Sequence, residues 1–132
     1  MGINERRERE KEEVRGRILD AARELFARDG YEAVTMRKIA EAIESIKPVW
    51  LEDPLPVDYS DSWKRLCASS KVPICMGENL ARREGFKDFI LNQGCDVLHP
   101  DLRNSGGFLE TKRIADLLRE RITAGNAQRF GA

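Results

Sequence analysis

The chain has 132 residues, 41% of them hydrophobic and 35% charged, which suits one domain with a modest core and argues against disorder. Lysine plus arginine equals aspartate plus glutamate at 23 each, so no global field draws the chain to nucleic acid or an anionic membrane, and such binding would need a local patch. Three cysteines, Cys67, Cys75 and Cys95, form no CxxC pair and have no flanking histidines, which argues against a disulfide framework or a zinc site and for a reduced, cytoplasmic setting. No apolar stretch approaches the roughly 20 residues of a membrane span, and no hydrophobic region follows the charged N-terminus to make a signal peptide.

In chain order, Glu5 to Glu13 is almost wholly charged with interleaved signs, the pattern of a solvated helical arm. Val14, Ile18, Ala22, Leu25 and Phe26 then fall on one helical face that ends at Asp29-Gly30, where glycine suits the left-handed position after a helix. Thr35 is a good N-cap for a second, short helix carrying Met36, Ile39, Ala40 and Ile43, which runs into Pro48. Beyond Pro48, short apolar runs alternate with amphipathic stretches. Strands are predicted at residues 49–51, 72–76 and 96–98, and helices at 60–69, 81–92 and 108–121. Each strand followed by a helix makes a parallel βαβ unit. The predicted fold class is α/β: an N-terminal helical hairpin followed by three βα units of an incomplete (β/α) barrel.

The run from Arg17 to Ile43, with Asp29-Gly30-Tyr31 and Thr35-Met36-Arg37-Lys38 inside it, resembles the start of the DNA-binding domain of the tetracycline-repressor (TetR) family. That resemblance implies a cytoplasmic, dimeric transcription regulator whose helix-turn-helix opens with residues 35–43. In place of its turn and recognition helix, however, stand Pro48 and Pro54 and the acids Glu52 and Asp53; proline interrupts helices and carboxylates repel phosphate. Arg37 and Lys38 are then the candidate DNA contacts, of the kind that position a protein without reading base sequence.

Residues 42–117 resemble the mandelate racemase and sugar-acid dehydratase branch of the enolase superfamily through three signatures in order: Trp50-Leu-Glu-Asp-Pro-Leu-Pro56, Pro73-Ile-Cys-Met-Gly-Glu-Asn79 and His99-Pro-Asp-Leu-Arg-Asn-Ser-Gly-Gly107. The resemblance implies a divalent cation, usually magnesium, that stabilises an enolate, with an acid-sugar or 2-hydroxy-acid substrate. Glu52 and Glu78 would be two of its metal ligands, each at the end of a barrel strand, and 26 residues separate them, close to the roughly 30 of one βα unit. Asp101 would orient a catalytic histidine from the following strand. His99, the sole histidine, has no catalytic role by this resemblance and reads as strand-end packing; Trp50 and Trp63 read as core.

From about Leu118 the chain resembles the C-terminal end of amidohydrolases, physically a helix end, a turn at Gly125 and a short piece capped by Asn126 that packs Phe130. The domains predicted are residues 1–45, a TetR-like segment with an incomplete helix-turn-helix; 46–117, an enolase-like partial barrel; and 118–132, a helical tail. Taken together, these resemblances suggest a chimeric fragment of a magnesium-dependent acid dehydratase or racemase without a complete native activity, with a TetR-like regulator as the alternative. Three βα units leave two open strand edges, so self-association through them is expected; membrane binding is not.

Overall fold

Proline and glycine set the boundaries of the elements seen in the computed structural model, which describes residues 3–124. The chain divides into two units, Met1–Pro48 and Val49–Ala132. The predicted turn at Gly125 and the packing of Phe130 lie outside the described residues.

In the first unit, α1 (Ile3–Asp29) and α2 (Met36–Ile43) form the predicted hairpin, joined through a 3-10 turn at Tyr31–Ala33. Gly30 takes φ 77° between helix and turn, and the Phe26 and Tyr31 rings stack across it with centroids 5.4 Å apart. Thr35 caps α2 by accepting a hydrogen bond from the Lys38 N–H at 3.3 Å. Among the described residues of this unit Leu25, Ala40 and Ile43 are buried, while Glu5 to Glu13 of α1 lie in solvent, laced by exposed pairs such as Arg6–Glu10. After α2 the chain makes only a 3-10 turn at Glu44–Ile46 and a left-handed residue, Lys47, before Pro48. The place a recognition helix would occupy therefore holds none.

The second unit runs β1 (Leu51–Glu52), α3 (Asp61–Ser69), β2 (Ile74–Met76), α4 (Arg82–Asn92), β3 (Val97–Leu98) and α5 (Phe108–Thr123). The sheet is parallel in the order β1-β2-β3. The fold is thus α/β, with N-terminal helices followed by three βα units of an incomplete barrel, as predicted. Strands are shorter than the apolar runs because the ladder begins late. Val49 is 76% exposed, and the first rung of β1 is Leu51 N–H to Pro73 O at 2.8 Å. Val72 gives its N–H to Ser70 Oγ and Pro73 has none to give, so β2 starts at Ile74, whose N–H is taken by the buried Asp96 carboxylate at 2.9 Å.

β2 is central and wholly buried. The core includes Ile74, Met76, Trp63, Phe86, Phe89, Ile90 and Ile114. Phe89 meets the edges of both Tyr59 and Trp63 at centroid distances of 5.2 Å, and the Trp63 indole N–H donates to Pro56 O at 3.0 Å. Trp63 is core as predicted, whereas Trp50 is 39% exposed and belongs to the site below.

Candidate functional site

Strand parity selects the side chains that meet at the carboxyl ends of the strands. Successive residues in a strand point to opposite faces, and residues paired across a parallel ladder share one. Glu52 pairs with Cys75, and Cys75 with Val97, so these three share a face; His99, two residues past Val97, returns to it. Its backbone N–H closes the ladder onto Met76 O at 2.9 Å.

The result is a cluster of three possible ligand atoms, from Glu52, Cys75 and His99, all within 4.8 Å of one another. His99 Nδ1 lies 3.1 Å from Glu52 Oε1, and the Trp50 indole N–H donates to Glu52 Oε2 at 3.3 Å. These two bonds, His99 the stronger, hold the Glu52 carboxyl below the usual carboxylate range, so it is anionic at neutral pH. Cys75 lies buried beneath the exposed Glu52 and His99. Desolvation, reinforced by the negative charges of Glu52, Asp53 and Glu78, pushes its thiol up to about 11.

Glu78 is exposed just beyond β2, after Gly77, whose φ of 138° and lack of a side chain let the turn pass against the His99 backbone. Its backbone carbonyl accepts from Asn104 Nδ2 at 2.8 Å, and the next residue, Asn79, donates to Asp53 Oδ2 at 3.0 Å, tying the segment after β2 to the segment after β1. Asp101 is also exposed, and its Oδ1 accepts the N–H groups of Arg103 and Asn104 at 2.8 and 2.9 Å, folding the turn toward α5. In the first unit, Arg37 pairs with Glu41 at 3.7 Å and Lys38 with Asp29 at 2.6 Å, so both positive charges are partnered by carboxylates.

Sequence reasoning missed Cys75 and His99. The readable signal was parity: with Glu52 on a two-residue alternation and the next strand in parallel register, Cys75 is the residue opposite it. Local spacing argues against a zinc site, but these donors come from β1, β2 and the residue just past β3 and share no local motif.

Parallel strands that carry acidic and metal-competent side chains at their carboxyl ends define part of a (β/α) barrel with its chemistry on the C-terminal edge. The chain belongs to the family described as Enolase C-terminal domain-like, whose model matches residues 11–123. It is similar to the D-xylonate dehydratase of Haloferax volcanii, at 38% identity over 81 residues covering 61% of this chain and 20% of that protein. It is also similar to the D-galactonate dehydratase of Variovorax paradoxus, at 33% identity over 87 residues covering 65% of this chain and 23% of that protein. Among solved structures, the 3,6-anhydro-D-galactonate cycloisomerase of Zobellia galactanivorans matches with a TM-score of 0.61 at 30% identity, covering 67% of this chain and 26% of that one. The chain spans about a fifth to a quarter of the length of these relatives.

The match corrects the chimera. One family model runs unbroken from residue 11 to 123, through the segment that resembles TetR repressors and into the one that resembles amidohydrolases. The TetR-like, helix-turn-helix reading fails because its sequence signal, an amphipathic helix, a glycine turn and a threonine-capped helix, specifies a helical hairpin of any lineage. The reading of a chimeric fragment without native activity falls with it. Among the described residues no helix is long and apolar enough to cross a membrane.

Proposed function

We propose that this chain is the part of an acid-sugar dehydratase or racemase of the enolase superfamily that supplies two carboxylate ligands, Glu52 and Glu78, to a magnesium ion, with Asp101 as a positioning residue. The observation that carries the reading is the placement of both glutamates just at or beyond the carboxyl ends of adjacent parallel strands, with the Asp53–Asn79 hydrogen bond holding their segments together. The donor chemistry fits: magnesium takes hard oxygen ligands and keeps several waters, so two carboxylates on one edge suit it.

A magnesium ion held there by Glu52 and Glu78 would supply the positive charge that favours loss of a proton next to a substrate carboxylate. Glu52 is ready for the role because His99 and Trp50 keep it ionised and aimed. Asp101 fixes the turn that leads to α5 by accepting the Arg103 and Asn104 N–H groups, and the Asn104 side chain in turn donates to the Glu78 carbonyl. The substrate class is a sugar acid or 2-hydroxy acid, in keeping with the names of the relatives. The sheet ends at β1 and β3, and self-association through these edges belongs to the same proposal.

The test is amide NMR of the labelled chain titrated with magnesium, then with D-galactonate. Saturable shifts confined to residues around Glu52, Glu78 and Asp101, lost in Glu78→Gln and followed by shifts on adding galactonate only when magnesium is present, are expected. A folded spectrum indifferent to magnesium would overturn the site; magnesium shifts without any response to D-galactonate or D-xylonate would overturn the substrate class.

A further inference from the structure

We infer that Glu52, Cys75 and His99 form a second donor set that captures a borderline divalent transition ion, zinc(II) or cobalt(II), in preference to magnesium. It shares Glu52 with the proposed magnesium site and needs neither Glu78 nor a substrate, so it stands independently of that proposal.

The geometry begins with the register. Glu52 and Cys75 are directly opposed on β1 and β2, and His99 follows β3 on the same face, so three strands deliver one donor each to one point without any helix or loop having to reach over. With all three ligand atoms within 4.8 Å of one another, none is more than about 2.8 Å from a common centre, against bond lengths of about 2.0–2.3 Å for zinc to nitrogen, oxygen and sulfur. The Glu52–His99 separation of 3.1 Å is already close to the roughly 3.3 Å between two such donors in a tetrahedron. Small inward shifts of side chains on a buried framework would complete the set.

Chemistry then selects the ion. A thiolate and an imidazole beside a carboxylate suit zinc and cobalt, while magnesium gains nothing from sulfur or nitrogen. Three protein ligands leave a fourth position for water, the open arrangement of a reactive site. Trp50 supports the set from outside, since its indole N–H on Oε2 leaves Oε1 facing His99. Entry is open because Glu52 and His99 are exposed above the buried thiol.

On binding, the Cys75 S–H bond breaks, the sulfur's electron pair goes to the ion and one proton is released to solvent. The Glu52–His99 hydrogen bond is exchanged for two bonds to the ion: the Nδ1 proton leaves as that nitrogen bonds the ion and Nε2 takes one up from solvent, so the imidazole stays neutral and the thiol's proton is the net release.

The experiment is a cobalt(II) titration of the full chain, reduced with a non-thiol reductant, in excess magnesium. One equivalent is expected to produce a thiolate-to-cobalt charge-transfer band in the near ultraviolet, with visible bands of tetrahedral intensity, and to release one proton. Cys75→Ala and His99→Gln should each lower affinity at least tenfold, Cys75→Ala abolishing the charge-transfer band, while Glu78→Gln keeps it. Amide spectra confirm that each variant is folded, and Cys75→Ser replaces the alanine variant if that one is not. No band, a band that survives loss of the Cys75 sulfur, or displacement by magnesium alone would overturn the inference. A cobalt band in Glu78→Gln beside lost magnesium shifts would separate the two sites; a magnesium response without the cobalt band would leave only the first.

Discussion

Gly77 offers a sharp test of how the site is positioned. With φ at 138°, it sits where side-chain-bearing residues rarely go, and a Cβ there would meet the His99 backbone C and O at 3.0 Å and N at 3.1 Å. Backbone strain of this kind costs about 1–3 kcal/mol, and forcing a methyl group into filled space costs about 1–3 kcal/mol more. Gly77→Ala should therefore destabilise the second unit by about 2–6 kcal/mol. Because one of the atoms it strikes, His99 N, makes the rung to Met76 O, it should also carry the imidazole away from Glu52. Urea unfolding followed by the fluorescence of Trp63, which is wholly buried, measures the first effect, and the His99 ring signals in NMR measure the second. A variant that loses less than about 1 kcal/mol and keeps the His99 signals unchanged would refute the argument, since neither strain nor contact would then be real.

Three further outcomes follow from the packing and the charges. Phe89→Ala removes the ring between Tyr59 and Trp63 and should cost about 3–5 kcal/mol in denaturant unfolding, with Phe89→Leu much milder. Thr35→Ala leaves the Lys38 N–H without its cap and should cost about 1 kcal/mol, read from the helical circular dichroism of thermal unfolding. The Glu52 carboxyl titrates below its ordinary range in the folded chain, so its contribution is complete above that range and is lost as pH falls through the lowered folded value. Acid unfolding curves of Glu52→Gln should accordingly be flatter than those of the native chain below about pH 4.3, and coincident curves would contradict the pairing with His99.

Much of the fold was legible because its punctuation is local. Gly30, Thr35 and Pro48 bound the first two helices, and α3, α4 and α5 begin within one residue of where amphipathic period places them. Strand ends were less so. Whether Val72 joins the ladder depends on Ser70 claiming its N–H, a competition that no periodicity records. The same division runs through the site. Glu52, Glu78 and Asp101 stand in recognisable signatures, whereas Cys75 and His99 lie 24 residues apart and meet only through the alignment of two strands. His99 was read as packing, yet its side chain is 59% exposed and paired with a carboxylate, because Pro100 and the ladder bond hold it at the strand's end rather than within it. The helical hairpin misled for the opposite reason: its local grammar is clear but is shared by unrelated lineages.

The pairing of Glu52 with Cys75 has a bearing on folding as well as on binding. Were β1 to slip by one residue against β2, Leu51 would take the place of the carboxylate on the site face and Glu52 would turn toward the side that holds Leu51. There it would leave both His99 and Trp50, and a carboxylate stripped of its partners in an apolar setting is costly. The charged group thus acts as a proofreading mark for a strand only two residues long, where hydrophobic pattern alone offers little to tell one alignment from the next.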